Sequence, residues 1–460
     1  MLAVALVGAS TALFVRRGPT RLTLAILAIA LLGVATMQRA LDGVAHSPLT
    51  GPRDARDSAT IAATLSEDPD AGQYTACVLV RVARLDGRAA GSRTVLVTAS
   101  GDAASRLRLL EAGDEIEMSG WLQPLEGFDR RLRWQHVVAH FDAVELLAFR
   151  PASSPLLGIA NQLRDRVLAG SRHLGPTERA LVAGFLLGDT RALPRDVEEQ
   201  FRASGLTHLL AVSGANVAFV LALVRPVLRR LSLRTQLVGG LGVLVVFGAM
   251  TRWEPSVLRA CTMAACSMVA LYLGRPNTGI RVLAITVVVL LLVDPFLLHS
   301  IGFLLSCGAS AGIAVLAKPL EARIPGPRWL REPLAVTLSA QLGVAPVLIP
   351  VFGAVPLASL PANLLAGPLA GPLTVLGVMS GLGGGVVEPW WPGLAAALQV
   401  PTGLLAGAVL EIAAACSHVP VDVDARAAWG LVALVAMLGA ARLRSQRRHN
   451  LRVDAPLPSR

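Results

Sequence analysis

Hydrophobic and polar positions divide the chain into three stretches. Residues 1–36 hold two short apolar runs, 2–15 and 22–36, separated by Arg16, Arg17 and Arg21. Residues 37–203 are mixed and polar. Residues 204–443 are a long series of apolar runs, followed by a basic tail that ends at Arg460. A helix crosses a bilayer with about 20 apolar residues. That length marks candidate spans at 205–224, 235–250, 256–273, 280–298, 302–317, 335–352, 366–387, 394–416 and 428–443. The first stretch has the basic and apolar character of a signal peptide. A second apolar run follows closely, and small-residue cleavage sites are weak, so a retained helical hairpin is expected instead. Together these runs predict about eleven crossings.

Charge sets the orientation. Loops rich in Lys and Arg stay in the cytoplasm. Arg16, Arg17 and Arg21 place the first turn there, which puts the N-terminus and residues 37–203 outside. Arg225, Arg229, Arg230 and Arg234 then fall inside, as do Arg275 and Arg281, and Lys318, Arg323, Arg328 and Arg331. The tail with Arg442, Arg444, Arg447 and Arg448 is also cytoplasmic on this count. The opposite loops carry Asp294, Asp422 and Asp424 instead. The segment 353–387 is the irregular one. Pro356, Pro361, Pro368 and Pro372 predict that it is not one straight helix. Broken helix at membrane depth is tolerated where it is buried in protein or lines a cavity.

The polar stretch reads as a small β domain. Ser58–Leu65, Tyr74–Ala83, Arg93–Thr98, Asp114–Trp121 and Phe141–Leu147 alternate or are β-rich. Turn signals at Glu67–Gly72, Asp86-Gly87 and Gly101-Asp102 separate them. About five strands in about 90 residues suit a Greek-key barrel of the OB kind, with a generic sandwich as the alternative. Phe128, Arg130, Arg131, Arg133 and Trp134 form either a nucleic-acid face of the sort such barrels use or a solvated charged loop. From 155 to 203 the helices are amphipathic. Leu156, Leu157, Ile159, Ala160, Leu163, Val167 and Leu168 oppose Asn161, Arg164, Asp165 and Arg172. Such a helix lies in the outer headgroup layer or packs on the β domain.

The expected fold is therefore a polytopic α-helical membrane protein with an extracellular OB-like barrel after its first hairpin. Its parts are a transmembrane hairpin (1–36), the β domain (37–150), interfacial helices (151–203), the membrane core (204–443) and a basic cytoplasmic tail (444–460). Composition agrees: 53% of residues are hydrophobic and 16% charged, against about 25% charged in soluble domains. A soluble enzyme and a disordered chain are thereby excluded. The formal charge of +11 is nearly all arginine. Cys77, Cys261, Cys266, Cys307 and Cys416 are scattered, without metal-ligand spacing, so no zinc site is expected, and Cys77 has no partner for a disulfide inside its domain. No phosphate-cradling GxxxxGK[ST] loop and no Ser/His/Asp order are present, so no catalysis and no cofactor are expected.

Residues 180–220 read ALVAGFLLGDTRALPRDVEEQFRASGLTHLLAVSGANVAFV. Downstream come PSVLRACTMA at Pro255–Ala264, Leu273-Gly274-Arg275, Asp294-Pro295, GFLLS at Gly302–Ser306, SAQLGVAPVL at Ser339–Leu348 and PANLLAGPL at Pro361–Leu369. This ordered set, over about 180–385, resembles the ComEC family of competence proteins. The N-terminal hairpin and outer OB-like domain resemble that family's layout too. The resemblance implies inward movement of single-stranded DNA across the bacterial membrane. It implies an extracellular DNA receptor and a cytoplasmic helicase-like ATPase as partners. Larger relatives carry a metallo-β-lactamase-like domain, whose HxHxDH signature is not found here, so either a separate nuclease partner degrades the second strand or this form does not complete uptake. Several relatives have Leu-His where this chain has Ala215-Asn216.

Hydrocarbon excludes a charged strand, so its path must be wet and cationic or hydrogen-bonding. Polar groups inside a bilayer usually face the bundle interior. The candidates are His208, Ser213 and Asn216, then Arg252 and Arg259, then Gln341 and Asn363. Gly205, Gly214 and Pro361 would let the backbone bend or approach closely. Arg259 is read as a phosphate contact, or as an arginine that snorkels or pairs with Glu254. His208 is alternatively a packing residue, and Ser213-Gly214 a small-residue helix contact. Asp189 caps or pairs near the outer surface, and Asp294 before Pro295 ends a helix. Three functions compete: a DNA channel component, a transporter or flippase of another anionic substrate, and a noncatalytic membrane anchor or degenerate relative. Membrane lipids are expected partners in each, and a homo-oligomer is compatible with all three.

Overall fold

The computed structural model describes residues 19–418, except 48, 50–57, 73, 276, 277 and 357, together with 422–424. The first apolar run (2–15), Arg16 and Arg17, the candidate span 428–443 and the basic tail lie outside the described residues.

Helix α1 (Pro19–Ala45) leads into a closed five-stranded barrel. Its strands are β1 (Ala59–Leu65), β3 (Thr75–Leu85), β4 (Arg88–Ser100), β5 (Glu115–Pro124) and β6 (Val137–Arg150), with a two-residue β2 (Asp70–Ala71) on the outside of β3. β1 pairs antiparallel with both β3 and β5, which closes the ring β1-β5-β6-β4-β3. The one parallel pair is β4–β6. Helix α2 (Gly101–Leu107) crosses between β4 and β5. All five strands expected from the alternation are present, in the small Greek-key barrel they suggested. Alternation explains the closure. Ile61, Val80, Val95, Val97, Met118 and Phe141 point inward and are fully buried. Each such side chain contributes about 1.5–3 kcal/mol. The β3–β4 turn uses Asp86 and Gly87, with φ of 49° and 76°. Gly87 accepts that backbone without a Cβ penalty.

The membrane part begins with α3 (Pro155–Gly170), α4 (Pro176–Leu187), α5 (Arg195–Ala203) and a single turn, α6 (Thr207–Leu210). Then come α7 (Gly214–Leu228), α8 (Leu233–Met250), α9 (Pro255–Tyr272), α10 (Gly279–Val293), α11 (Ile301–Glu321), α12 (Arg328–Phe352), α13 (Ser359–Val387) and α14 (Pro392–Ser417). Seven described helices are long and apolar enough to cross a bilayer: α1, α8, α9, α11, α12, α13 and α14. Helices α7 and α10 are apolar but shorter. The chain is thus a multi-pass membrane protein. Small residues let these helices close up. Gly308 and Gly312 of α11 face Ser339 and Gly343 of α12 so closely that an added methyl would strike the opposing backbone.

Three local expectations change. The run 205–224 is not one helix. It breaks at Ala211–Ser213, where Ala211 and Ser213 are extended, and restarts at Gly214. Conversely, 359–387 is one helix despite Pro368 and Pro372. The break falls earlier, where β7 (Ala354–Pro356) pairs with β8 (Asp422–Asp424). The two prolines lie four residues apart and share a helix face. On α13, Gly371, Gly377 and Gly381 receive Phe219, Leu186 and Val167, packing that holds the helix through the prolines. Third, the face of α3 expected to be polar and solvated is partly buried. Asn161 and Arg164 join Ala160, Val167 and Gly170 against α13 and α8, while Ile159 is exposed. Arg164 reaches Asp68 and Asp189 on other elements, which offsets part of its cost of burial.

Candidate functional site at the junction of barrel and core

The α8–α9 turn carries Arg252 and Trp253, both in the left-handed region with φ of 56°. For side chains of this size that backbone is strained. The turn aims Arg252 at the barrel. Its Nη2 lies 2.6 Å from Oδ1 of Asp68, in the loop between β1 and β2, and its Nη1 donates to Oδ1 of Asn161 at 2.7 Å. Asp68 Oδ2 also receives Arg164 Nη2 at 2.6 Å. Arg164 is only 1% exposed, and its Nη1 donates to the carbonyls of Leu187 (3.0 Å) and Met250 (2.6 Å). Asp189 holds Arg191 through two bonds of 2.6 and 2.8 Å and sits 3.6 Å from Arg164. Burial alone would raise the Asp68 carboxyl, but Arg164 and Arg252 outweigh it and hold the group below its ordinary value. Asp189 follows the same logic, with Arg191 supplying the counterweight. Arg252 and Asp189, singled out separately in the sequence, therefore belong to one buried ion network that joins the barrel to the core.

Below this turn lies the break in the first core helix. The Val212 N–H donates to the Glu254 carboxylate, and Ser256 Oγ donates to the Val212 carbonyl at 2.8 Å. Val212, between the extended Ala211 and Ser213, is thus held from both sides by the start of α9. Burial pushes the Glu254 carboxyl up to about 7, against the opposing pull of the Val212 bond and Arg164. Asn216 fixes the restart. Its Nδ2 donates to the Phe185 carbonyl at 2.7 Å, and its Oδ1 accepts from Ser213 Oγ (3.1 Å) and Thr374 Oγ1 (3.2 Å). Arg259, 8% exposed, lies one turn into α9. Its Nε donates to Ser306 Oγ at 2.7 Å and its Nη1 to Met263 Sδ at 3.0 Å. Its Nη2 rests against Gly214, where an added Cβ would come within 2.6 Å. Pairing of Arg259 with Glu254 is not observed, because Glu254 turns to Val212. Among the described residues no carboxylate lies within ion-pair distance of Arg259.

The remaining candidates lie apart. Gln341 Nε2 donates to Ser359 Oγ at 2.9 Å and Asn363 Nδ2 to the Ser359 carbonyl at 2.7 Å, joining α12 to the start of α13. Pro361 sits in the first turn of α13, where a missing N–H costs nothing. His208 is exposed on α6 and bonds the backbone of Gly205, whose φ is 70°. Asp294 ends α10, caps Phe296 at 3.0 Å and lies 3.0 Å from His136 of the barrel. Nearby, Trp134 stacks flat on His299 at 3.7 Å and meets Phe296 edge-on. That ring docks the barrel on the core and is not an open stacking platform. Arg130, Arg131 and Arg133 stay exposed.

The candidates thus gather in three places: Arg252 with Asp189, Ser213 and Asn216 with Gly214 and Arg259, and Gln341 with Asn363. The sequence reading missed Asp68, Arg164 and Asn161 as a unit, and Ser306 and Thr374 as partners. It also missed Gln399, whose Nε2 donates to Gly170 at 2.7 Å beside the Ser380–Thr402 pair. Among the described residues no group of His, Cys, Asp or Glu is placed to hold a metal.

Residues 185–448 match the family model described as Competence protein. The uncharacterized protein YcaI of Escherichia coli is 28% identical over 213 residues, covering 43% of this chain and 28% of that protein. ComE operon protein 3 of Bacillus subtilis is 27% identical over 209 residues, covering 45% of this chain and 26% of that protein. An uncharacterized Aquifex aeolicus protein is 30% identical over 203 residues, covering 44% and 47%. The matched stretch thus spans less than half of each of these relatives. No solved structure matches the chain.

Proposed function

The chain belongs to the competence protein family, and we propose that it is the membrane component through which a single strand of DNA enters the cell in natural transformation. One observation carries this reading: the barrel is seated on the core through the Asp68 loop on Arg252 and Arg164, and through Trp134 and His136 on His299 and Asp294. In OB barrels the loops after the first and before the last strand flank the nucleic-acid face. Here those are the two loops that rest on the helix ends, so a strand held by the barrel is delivered to the core. The basic residues Arg225, Arg229, Arg230, Arg234, Arg275, Arg281, Lys318, Arg323, Arg328 and Arg331 lie toward the opposite helix ends, which supports an outward-facing barrel.

On this reading the chain conducts and does not catalyse. Force, capture and degradation of the second strand belong to partner chains: an ATPase inside, a DNA receptor outside and a nuclease. The test is uptake of end-labelled DNA by a transformable host. A strain lacking the gene should hold no protected internal label, and wild-type levels of internal label would overturn the reading.

A further inference from the structure

We propose that the break in the first core helix builds a binding site for one phosphate group, formed by the N-terminus of α7 and the guanidinium of Arg259. The first N–H groups of a helix have no intrahelical acceptor and carry partial positive charge. In α7 the N–H groups of Gly214 and Ala215 have no acceptor among the described residues, whereas that of Asn216 is taken by Ser213. A helix N-terminus alone would mean little. The second element is Arg259, more than nine-tenths buried in a membrane-length helix and without a carboxylate partner. Its Nε and Nη1 are anchored on Ser306 and Met263, which fixes the fork. Among the described residues its Nη2 has no hydrogen-bond acceptor, and it lies against Gly214. An unpaired buried cation is costly, and a bound anion removes that cost.

The chemistry selects the ligand. The N-terminal N–H groups of α7 and one guanidinium N–H from α9 lie side by side at Gly214, a pairing of donors that suits the two non-bridging oxygens of a phosphodiester. Half-helix N-termini at membrane depth receive anionic groups in transporters by the same physics. Gly214 is needed because a Cβ there would occupy the approach of Nη2. The site reads backbone phosphate and ignores the base. Its identification with DNA, in place of a lipid headgroup or free phosphate, rests on the uptake reading above.

The test uses the full chain purified in dodecyl maltoside. Probes are a fluorescent oligo-dT with phosphodiester linkages, the same oligomer with neutral methylphosphonate linkages, inorganic pyrophosphate and phosphatidylglycerol in mixed micelles. Arg259→Gln and Gly214→Ala are each expected to weaken phosphodiester and pyrophosphate binding by about tenfold, with unchanged elution and thermal midpoint. The methylphosphonate oligomer should bind as weakly to the wild type as the phosphodiester does to Arg259→Gln. Equal affinities of wild type and both variants for the phosphodiester and pyrophosphate would overturn the site and leave the uptake reading standing. Loss of pyrophosphate binding in the variants, with no oligonucleotide binding by the wild type, would keep the site and remove DNA as its ligand. Competition by phosphatidylglycerol alone would assign the site to a lipid headgroup.

Discussion

Asp68 and Arg252 stand 184 residues apart in the sequence and 2.6 Å apart in the fold. One belongs to a barrel loop, the other to the turn between two membrane helices. Arg164 completes the contact from a third element. Each carboxylate oxygen of Asp68 thus faces a different guanidinium, and the Asp68 side chain is 10% exposed. Together with the contacts of Trp134 and His136 on His299 and Asp294, this network joins barrel and core.

Replacing Asp68 by Asn should therefore cost far more than a surface pair. It strands two buried guanidinium groups, and breaking a buried pair costs on the order of 3–5 kcal/mol. Thermal unfolding in detergent at pH 7 measures it, and a shift no larger than that of an exposed Glu198→Gln control would contradict the network. The pH sign follows from the depressed carboxyl. Its stabilising effect is complete above the ordinary carboxylate value of about 3.9 and fades as pH falls through the lower folded value. Asp68→Asn should lose this acid sensitivity.

Glu254 works in the opposite direction. Its carboxyl is raised from 4.5 to about 7, chiefly by burial. The folded chain then holds this proton more tightly than the unfolded chain does. Stability from this group is full below pH 4.5 and is lost as pH rises toward about 7. Glu254→Gln, which stays neutral, should flatten the thermal midpoint across that window. Parallel curves for wild type and variant would show that the carboxyl is not shielded beside Val212.

The barrel was legible because strand alternation and the Asp86-Gly87 turn are local signals. The long apolar helices were legible for the same reason. Three features were not. The break at Ala211–Ser213 depends on Glu254 and Ser256, some 40 residues away, gripping Val212. The continuity of α13 through Pro368 and Pro372 depends on Phe219, Leu186 and Val167 filling its glycine face. The Asp68 network joins residues from four separate elements, and nothing near Arg164 in the sequence announces its acids. Among the candidate residues, side-chain type singled out Arg259 and Asn216, and both are buried in the fold. Which partners they meet was a property of the fold alone.

Trp134 should act as a docking residue. Its flat stack on His299 and edge contact with Phe296 give geometry worth about 0.5–1.5 kcal/mol beyond area burial. Trp134→Ala should leave the barrel folded, since no barrel core position is touched. Amide exchange at 295–299 should rise while exchange in β3 and β4 stays slow. Faster exchange in those strands would make Trp134 part of the barrel's own stability instead.

Orientation can be read from two sites. Helix α8 starts beside Arg229, Arg230 and Arg234 and ends at Met250, whose carbonyl bonds Arg164 under the barrel. Helix α10 starts beside Arg275 and Arg281 and ends at Asp294, on His136 of the barrel. Both helices thus have arginines at one end and the barrel at the other, and α8 at 18 residues is about 27 Å long, enough to separate them by a bilayer. Basic loops resist translocation, so the barrel should face outward. Leu109, 82% exposed on the barrel, is changed to Cys in one protein and exposed Arg230 in another, with the five native cysteines replaced by Ser. A membrane-impermeant maleimide should label Leu109→Cys on intact cells and Arg230→Cys only after permeabilisation. The reverse pattern would turn the molecule over. A strand received by the barrel would then start in the cytoplasm, and inward transport would fail as its function.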